Sequence, residues 1–315
     1  MVPQPGISPT RHGAALTMFL ITGAGGGVGS VSRSVVEELR AQGLPVRAMV
    51  RRDDDRAERL RDLGAEVVVG DLTSPVDVAN AIDGVTRMFF NMSVAADYLE
   101  AAAVVAAVGK EVGALDVLVN MSQMTVSQMT LTSTEESHHQ RLHWLAERVL
   151  NWSDLPVVHV RPTVFLDNPL FTVLGAASVR ERGVLALPFG DGHTSPIAAA
   201  DVAHVVATLL REPEGRLGHV YELTGPQVLD VAGLAEQYGR ALGRPIGVED
   251  MPGEKLGETL AAVGLPEHVA QHISTMARLH REDRYNRATD DVERITGRPG
   301  QTVEQYVAGH RDLFS

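Results

Sequence analysis

Three glycines near the start of the chain have the spacing of a phosphate-binding turn. Gly23, Gly26 and Gly29 follow the apolar run 18–22, and a helical pattern, 28–43, follows them. In a strand-turn-helix unit of this kind, the first glycine permits a tight turn and the second removes the Cβ that would block a pyrophosphate. The helix end and its free N–H groups then face the phosphates. The spacing predicts a dinucleotide site. Further contacts are expected from the turn residues Thr22, Gly27 and Val28.

The end of the second predicted strand, 45–51, distinguishes the two nicotinamide dinucleotides. An acidic residue there would bind the ribose hydroxyls of NAD, whereas arginine pairs with the 2′-phosphate of NADP. The chain has Arg51 and Arg52 at this position, so NADP(H) is the predicted cofactor and NAD(H) is the alternative. The alternative depends on the acidic run 53–55, which would serve NAD if the strand ended later. The same run can instead cap the following helix.

Other strand ends should complete the cofactor site. In a doubly wound parallel sheet, a ligand binds in the crevice outside the carboxyl ends of the strands. Asp71 and Leu72 close the third predicted strand, where side chains can contact adenine, and Asn91 closes the fourth beside the cleft. The remaining predicted cofactor contacts, at the ends of the fifth and sixth strands, are Met121 and Pro162.

Histidines in the predicted helix 137–151 could do metal or acid-base chemistry. His139 and His143 are four residues apart and share one helix face, and His138 precedes them. A zinc-binding His-Glu-x-x-His pattern needs glutamate after its first histidine, but Gln140 stands there, so no metal is predicted. Two other interpretations carry more weight than metal ligation by these histidines. The histidines are polar residues at the edge of a cleft, or one of them donates a proton, since an imidazole with a pKa near 6.5 can do so at neutral pH.

The elements that must position these residues alternate along the first half of the chain. Almost unbroken apolar runs are separated by helical patterns, which is typical of parallel strands joined by crossover helices on both faces. The predicted strands are 18–22, 45–51, 66–69, 87–91, 116–121 and 157–161, with a later one at 219–224. The predicted helices are 28–43, 56–63, 76–82, 95–112, 137–151, 231–242 and 266–279. The predicted fold class is α/β, a doubly wound parallel sheet with a smaller C-terminal portion that covers the substrate.

The pattern divides the chain into a leader and two larger parts. Residues 1–17 are expected to form a disordered leader or extension, 18–162 the dinucleotide-binding core, and 163–315 mainly a substrate-binding portion, with 195–225 returning to the core.

Composition excludes several classes of partner. The 28 basic and 40 acidic residues give a net charge of −12, which argues against nucleic-acid binding. No apolar run approaches the roughly 18 residues of a membrane-spanning helix, and cysteine is absent. We therefore expect a cytoplasmic protein with no nucleic-acid or membrane partner, and a homodimer is compatible with the sequence.

Six motifs together resemble one known family. They are TGAGGGVG at 22–29, VRAMVR at 46–51, GDL at 70–72, VRPT at 160–163, SPIAAADVA at 195–203 and YELTGP at 221–226. These motifs resemble the NmrA-like group of atypical short-chain dehydrogenases/reductases. The resemblance implies a Rossmann domain that binds NADP and a C-terminal part that covers the substrate cleft. It also implies diverse roles, from reductases of quinones, dyes and phenylpropanoids to redox-sensing regulators that bind the cofactor without turnover.

The chain departs from this family at its acid-base pair. Related reductases carry Tyr-x-x-x-Lys on the helix after the fifth strand, and alignment on Glu147 and Arg161 places those positions on His139 and His143. Ser122 matches the position of the family's catalytic serine. We therefore expect an NADPH-dependent reductase, lacking the usual pair, that transfers hydride to an electron-poor small molecule such as a quinone, enone, imine or dye-like aromatic. The alternative is a non-catalytic NADP(H) redox sensor that acts through a protein partner.

Overall fold

A parallel sheet forms the centre of the molecule. The computed structural model describes residues 17–26 and 30–315. Its strands are β1 (Met18–Ile21), β2 (Val46–Val50), β3 (Glu66–Val69), β4 (Val85–Phe90), β5 (Val117–Met121), β6 (Val157–Pro162), β7 (Val184–Leu187), β8 (Val220–Leu223) and β9 (Gly247–Asp250). Seven of these form the sheet, in the order β3-β2-β1-β4-β5-β6-β8, with every neighbouring pair parallel. The order reverses between β1 and β4, so the crevice for a ligand lies there.

Parts of two predictions fall outside the described residues. Gly27, Val28 and Gly29 of the predicted turn lie there, and so does nearly all of the expected leader, 1–17.

The apolar runs became strands because both faces of the sheet are covered. Every residue of β5 is buried, and so is all of β1 except Met18. The predicted α/β fold class with a doubly wound parallel sheet is confirmed, and each predicted strand lies within two residues of its observed bounds. A strand buried on both sides needs no polar alternation, which is why the run of apolar residues was a sufficient signal.

Helices cover the sheet on both faces. The α-helices of the described residues, including those of the C-terminal portion, are α1 (Val31–Ala41), α2 (Asp55–Asp62), α3 (Pro75–Ile82), α4 (Tyr98–Val112), α5 (His138–Trp152), α6 (Ala176–Arg182), α7 (Ala199–Arg211), α8 (Val231–Leu242), α9 (Gly253–Val263), α10 (Glu267–Arg281), α11 (Asp291–Thr296), α12 (Val303–Gly309) and α13 (Arg311–Phe314). Buried side chains of α1, α2 and α7 share one apolar cluster with the sheet, and those of α3, α4 and α5 share another on the opposite face.

The C-terminal portion has a core of its own. Apolar side chains of α6, β7, α8, α9, α10, α12 and α13 pack together, and β7 pairs with β9 in a short parallel sheet. This small sheet was not predicted, because β9 (Gly247–Asp250) is exposed along its whole length and carries no apolar run. Among the described helices, none combines the length and the apolar character that crossing a lipid bilayer requires.

Candidate functional site

A cavity of about 250 Å³ opens at the carboxyl ends of β1, β4, β5 and β6. Gly23 and Asn91 line it where β1 and β4 end, and Met121 and Pro162 line it where β5 and β6 end. Helix α10 closes the opposite side with apolar side chains. The sheet therefore supplies one wall of the cavity and the C-terminal portion supplies the other.

Two hydrogen bonds between Thr22 and Asn91, here called the clasp, join the start of the glycine turn to the end of β4. The hydroxyl of Thr22, which is fully buried, donates to the carbonyl of Asn91 at 2.8 Å and accepts from the Asn91 N–H at 2.9 Å. Gly23 has φ +66°, and a Cβ there would lie 2.6 Å from the Asn91 carbonyl oxygen. Only glycine fits between this clasp and the cavity, so Thr22 positions the turn from beneath and does not line the cavity itself.

Gly26 leaves space for a ligand in the described part of the turn. Gly26 has φ +114° and is exposed, and a Cβ there would have no neighbour closer than 3.9 Å. Its surface is therefore open at the start of α1, where backbone N–H groups lack carbonyl partners in the helix. Ser32 in the first turn of α1 accepts a hydrogen bond from the Asn91 side-chain amide at 2.9 Å, which ties the helix to the same strand end.

The end of β2 carries arginines and no free acidic group. Arg51 pairs with Asp71 at 3.1 Å, and both side chains are exposed at the edge of the sheet. Hydrogen bonds from Thr73 and the charge of Arg51 hold the pKa of Asp71 below its ordinary value. Arg52 is exposed beside them, while Leu72 packs with the apolar cluster around α3 and α4. These four residues lie outside the cavity, on the side where the far end of a dinucleotide would extend.

The acidic run after β2 belongs to the next helix. The strand ends at Val50, and the Asp54 side chain accepts from the Arg56 N–H as the N-cap of α2. Asp53 pairs with Arg61 at 2.8 Å. The interpretation of this run as a helix cap is confirmed for Asp54.

Two histidines of α5 contact each other at the cavity wall. The Nε2 atoms of His139 and His143 lie 3.0 Å apart, within hydrogen-bond distance. The ring of Tyr98 on α4 packs 4.2 Å from the His143 ring, and its hydroxyl donates to the Met121 carbonyl. His272 of α10 contacts the other side of His139, with ring centroids 5.0 Å apart. The pair is thus held between α4 and α10, and both rings line the cavity.

Burial keeps both histidines neutral. It lowers the pKa of His143 to about 3, with a smaller contribution from neighbouring His272. Burial also lowers the pKa of His139 strongly, and the nearby His143 and His272 add to the effect. The expectation that one of these histidines has a pKa near 6.5 is therefore wrong. A charged imidazolium would lose its hydration in this apolar environment, and no carboxylate adjoins both rings to replace it.

Hydroxyl groups and apolar side chains complete the cavity. The Oγ of Ser122 and the Oγ1 of Thr163 are buried, line the cavity and have no hydrogen-bond partner among the described residues. From the C-terminal portion come Val269, Ile273 and Met276 of α10, together with Tyr285. These four residues were not predicted. The helical period predicted a helix at 266–279, but it did not indicate what the apolar side chains of that helix would face.

The sequence-predicted residues thus fall into two groups. Those that line the cavity are Gly23, Gly26, Asn91, Met121, Ser122, His139, His143 and Pro162. Thr22, Arg51, Arg52, Asp71 and Leu72 lie outside it. Within residues 17–26 and 30–315, no three His, Asp or Glu side chains are grouped so that they could hold a metal ion.

A glycine turn at the strand-order reversal of a doubly wound sheet defines a dinucleotide-binding protein of the Rossmann class. Comparison with known proteins agrees, since the model of the NAD(P)H-binding family matches residues 26–213. The chain belongs to this NAD(P)H-binding family.

Characterised relatives cover nearly the whole chain. An NAD(P)H azoreductase of Xenophilus azovorans is 28% identical over 291 residues, which are 92% of this chain and 97% of the relative. A (4-alkanoyl-5-oxo-2,5-dihydrofuran-3-yl)methyl phosphate reductase of Streptomyces griseus is 30% identical over 302 residues, 95% of this chain and 99% of the relative.

Solved structures share the fold at lower identity. An Escherichia coli NADPH-dependent quinone oxidoreductase in complex with NADPH superposes with a TM-score of 0.79 at 21% identity, covering 94% of this chain and 100% of that one. The negative transcriptional regulator NmrA in complex with NADP superposes with a TM-score of 0.75 at 16% identity, covering 93% and 95%.

We expect the Gly23→Ala substitution to destabilise the protein more than Gly43→Ala. Both glycines have positive φ, +66° and +74°, so either alanine costs about 1–2 kcal/mol of backbone strain. Only at Gly23 does the added Cβ collide with backbone, which adds about 1–3 kcal/mol. Urea unfolding of the two variants measures the difference in the free energy of unfolding. Equal losses would show that the clasp at Asn91 yields without cost.

The buried histidines should make stability fall in mild acid. Their folded pKa values are lowered, so below about pH 6.5 the unfolded chain binds more protons than the folded one, and the free energy of unfolding decreases as the pH falls. His143→Gln should make this slope shallower by about 1 kcal/mol per pH unit between pH 6 and pH 5. The control is His138→Gln, an exposed neighbour on α5. An unchanged slope in His143→Gln, measured by urea unfolding, would contradict burial of a neutral ring.

Proposed function

We propose that the protein is an NADPH-dependent reductase that transfers hydride to an electron-poor small molecule. The observation that carries the proposal is one cavity that joins the glycine turn to an apolar substrate wall. At one end lie Gly23 and Gly26, where a pyrophosphate fits, and at the other lie side chains of α10. A dinucleotide bound along this cavity would extend from the phosphate end toward the apolar end, where a second molecule has room to meet it.

The lining of the cavity favours substrates without negative charge. Among the described residues, its lining contains no aspartate, glutamate, lysine or arginine. A carboxylate or phosphate on the substrate would lose its hydration there without a cation to pair with. Methionines Met92, Met124 and Met276 adapt to flat rings of different shape, as thioether side chains do at variable binding surfaces. We infer a planar, largely apolar substrate such as a quinone, an enone, an imine or a dye-like aromatic.

The activities of the two sequence relatives support reduction as the reaction type. One is an NAD(P)H azoreductase and the other reduces a dihydrofuran phosphate ester. The phosphate of the second relative's substrate has no cationic partner in the cavity described above, so we do not extend that substrate to this chain.

The chain's own residues supply binding, orientation and exclusion of water. NADPH supplies a hydride from its nicotinamide ring when bound. The glycine turn, Asn91 and Pro162 would hold the cofactor, and Ser122 and Thr163 are further polar residues of the lining. Helix α10 excludes water from the apolar end. No tyrosine in the sequence is followed four residues later by lysine, so the acid-base pair of related reductases is absent.

That missing pair favours the second candidate, a sensor that binds NADP(H) without turnover. Helix α5 holds neither tyrosine nor lysine, and its buried histidines are neutral. Hydride transfer to a quinone or a carbocation needs little acid help, however, and the cavity has room for a substrate beside the cofactor. We therefore favour the reductase over the sensor, and a turnover experiment distinguishes these two functions.

For the cofactor, we expect Arg51→Ala to weaken binding of NADPH by at least tenfold and that of NADH by less than twofold. A charge-assisted contact to the 2′-phosphate would be lost, and NADH has no such phosphate. Calorimetric titration measures both dissociation constants. Arg240→Ala on α8, an exposed arginine that pairs with Glu236 and Glu304, is the control. Equal losses for both nucleotides in Arg51→Ala would refute the preference for NADP.

For the reaction, we expect the purified protein to oxidise NADPH in the presence of at least one quinone, enone, azo compound or triarylmethane dye. Absorbance at the NADPH band measures the rate, and an acceptor carrying a phosphate or carboxylate should react more slowly than its uncharged analogue. Tight NADPH binding with no turnover on any acceptor would favour the sensor.

A further inference from the structure

Asn168 lies at the cavity wall, in the turn between β6 and the π-helical segment Leu170–Gly175. Its N–H donates to the Phe165 carbonyl at 3.0 Å, and its carbonyl accepts from the N–H groups of Phe171 at 2.8 Å and of Thr172 at 3.0 Å. The backbone of this residue is therefore held from both sides.

The side chain of Asn168 is held by its oxygen. Pro169 has no N–H, and the Asn168 Oδ1 accepts from the next N–H along the chain, that of Leu170, at 3.0 Å. A backbone N–H donates and cannot accept, so the oxygen of the amide must face it, and this hydrogen bond assigns the orientation of the amide. The Nδ2 atom, with its two N–H donors, lies on the opposite edge of the amide group.

These two N–H donors are the free polar groups of Asn168. Nδ2 is its one polar atom without a hydrogen-bond partner among the described residues. The residue is half-buried. Unlike the side-chain oxygens of Ser122 and Thr163 and the Nδ1 atoms of His139 and His143, Nδ2 is not enclosed by protein. Asn168 thus offers accessible donors at the cavity wall where those four residues do not.

The segment that carries Asn168 is anchored away from the glycine turn. Phe165 pairs with Ile197 in an isolated bridge, and the Asp167 carboxylate accepts from the Ala199 N–H at 2.9 Å. In the sheet, β4 and β5 separate β6 from β1, a span of about 14 Å at the usual strand spacing. The amide donors are therefore well separated from the phosphate end of the cavity.

We propose that the Asn168 amide donates a hydrogen bond to a carbonyl oxygen of the substrate and so selects quinones and enones over acceptors without such an oxygen. The proposal rests on the proposed reductase function. The lining that the structure describes carries no carboxylate, ammonium or guanidinium group, so a neutral donor is suited to an uncharged carbonyl. A donor fixed in place also stabilises negative charge that develops on the oxygen during the reaction.

The hydrogen bond assists the reduction without transferring a proton. A quinone that gains a hydride receives two electrons and one proton, and the resulting hydroquinone anion carries its negative charge on oxygen, where the amide binds. A proton from a buffer acid then completes the hydroquinone. A triarylmethyl cation gains the hydride at carbon and becomes neutral. Such an acceptor presents no oxygen on which negative charge develops, so it has no use for the amide.

Two substitutions separate the donor from the turn that holds it. In Asn168→Asp, a carboxylate oxygen still accepts from the Leu170 N–H, and in Asn168→Ser a hydroxyl oxygen does so without added charge. Neither variant keeps the Nδ2 donors. We expect the urea midpoint of unfolding to change little in Asn168→Asp. The matched control is Asn80→Asp, at an exposed asparagine of α3.

Calorimetric titration of the NADP⁺-loaded protein tests recognition without turnover. The probes are menadione, a methylated naphthoquinone, and methylnaphthalene, which has the same two rings without oxygen. The chain has no cysteine, so the quinone cannot add to a thiol. Both Asn168 variants should weaken menadione binding by about fivefold to tenfold, as expected for one hydrogen bond. Binding of methylnaphthalene and of NADP⁺ should change less than twofold, and Asn80→Asp should change neither.

The two probes distinguish a donor from a structural residue. Equal losses for menadione and methylnaphthalene would show that Asn168 only shapes the wall. Unchanged menadione binding in both variants would show that the amide does not contact the quinone. Either result overturns the inference, and so does a failure of menadione to bind the unsubstituted protein.

Turnover tests the same amide in the reaction. Asn168→Ser should lower kcat for menadione by about 100-fold, the usual effect of losing one donor to a developing oxyanion. Reduction of malachite green, a triarylmethyl cation, should change less than threefold. Unchanged turnover of menadione would refute the role of the amide and leave the reductase standing. Menadione binding that depends on Asn168, without any oxidation of NADPH, would refute the reductase and leave the carbonyl-binding site standing.

Discussion

The clasp between Thr22 and Asn91 is the contact on which the rest of the site depends. One buried hydroxyl uses both backbone groups of Asn91 and so joins the ends of β1 and β4 at the point where the strand order reverses. Asn91, the glycine turn, the end of β5 and the histidines of α5 all line the same cavity. Gly23 has to be glycine since the clasp leaves no room for a Cβ.

The polarity of the cavity changes along its length, from the glycine turn to the end at α10. At the turn, backbone N–H groups and the start of α1 suit negatively charged phosphates, whereas the far end has apolar walls and neutral imidazoles. Charge is therefore favoured at one end and disfavoured at the other, which sets the direction in which a dinucleotide can lie.

Local sequence signals predicted the sheet and the cofactor half of the cavity, because an apolar strand and a glycine turn each depend on adjacent residues. Contacts between distant segments could not be read in the same way. Arg51 and Asp71 meet only because β2 and β3 are neighbours in the sheet. His139 packs against His272 of α10, more than a hundred residues later, and this neighbour helps to lower its pKa. Helix α7 (Ala199–Arg211) was not among the predicted helices, although apolar residues recur along it at helical spacing and most of its residues are buried.

Helix α10 gives the molecule a separable specificity element. Val269, Ile273 and Met276 project from one helix into the cavity, and that helix has its core in the C-terminal portion, apart from the strands that carry the glycine turn. Changes in the size of these three side chains would reshape the acceptor wall and leave the nucleotide end untouched. In the proposed reductase, substitutions on this one surface would change which hydride acceptor fits, while the nucleotide end stays the same. This is a structural basis for chemical diversification on a constant scaffold.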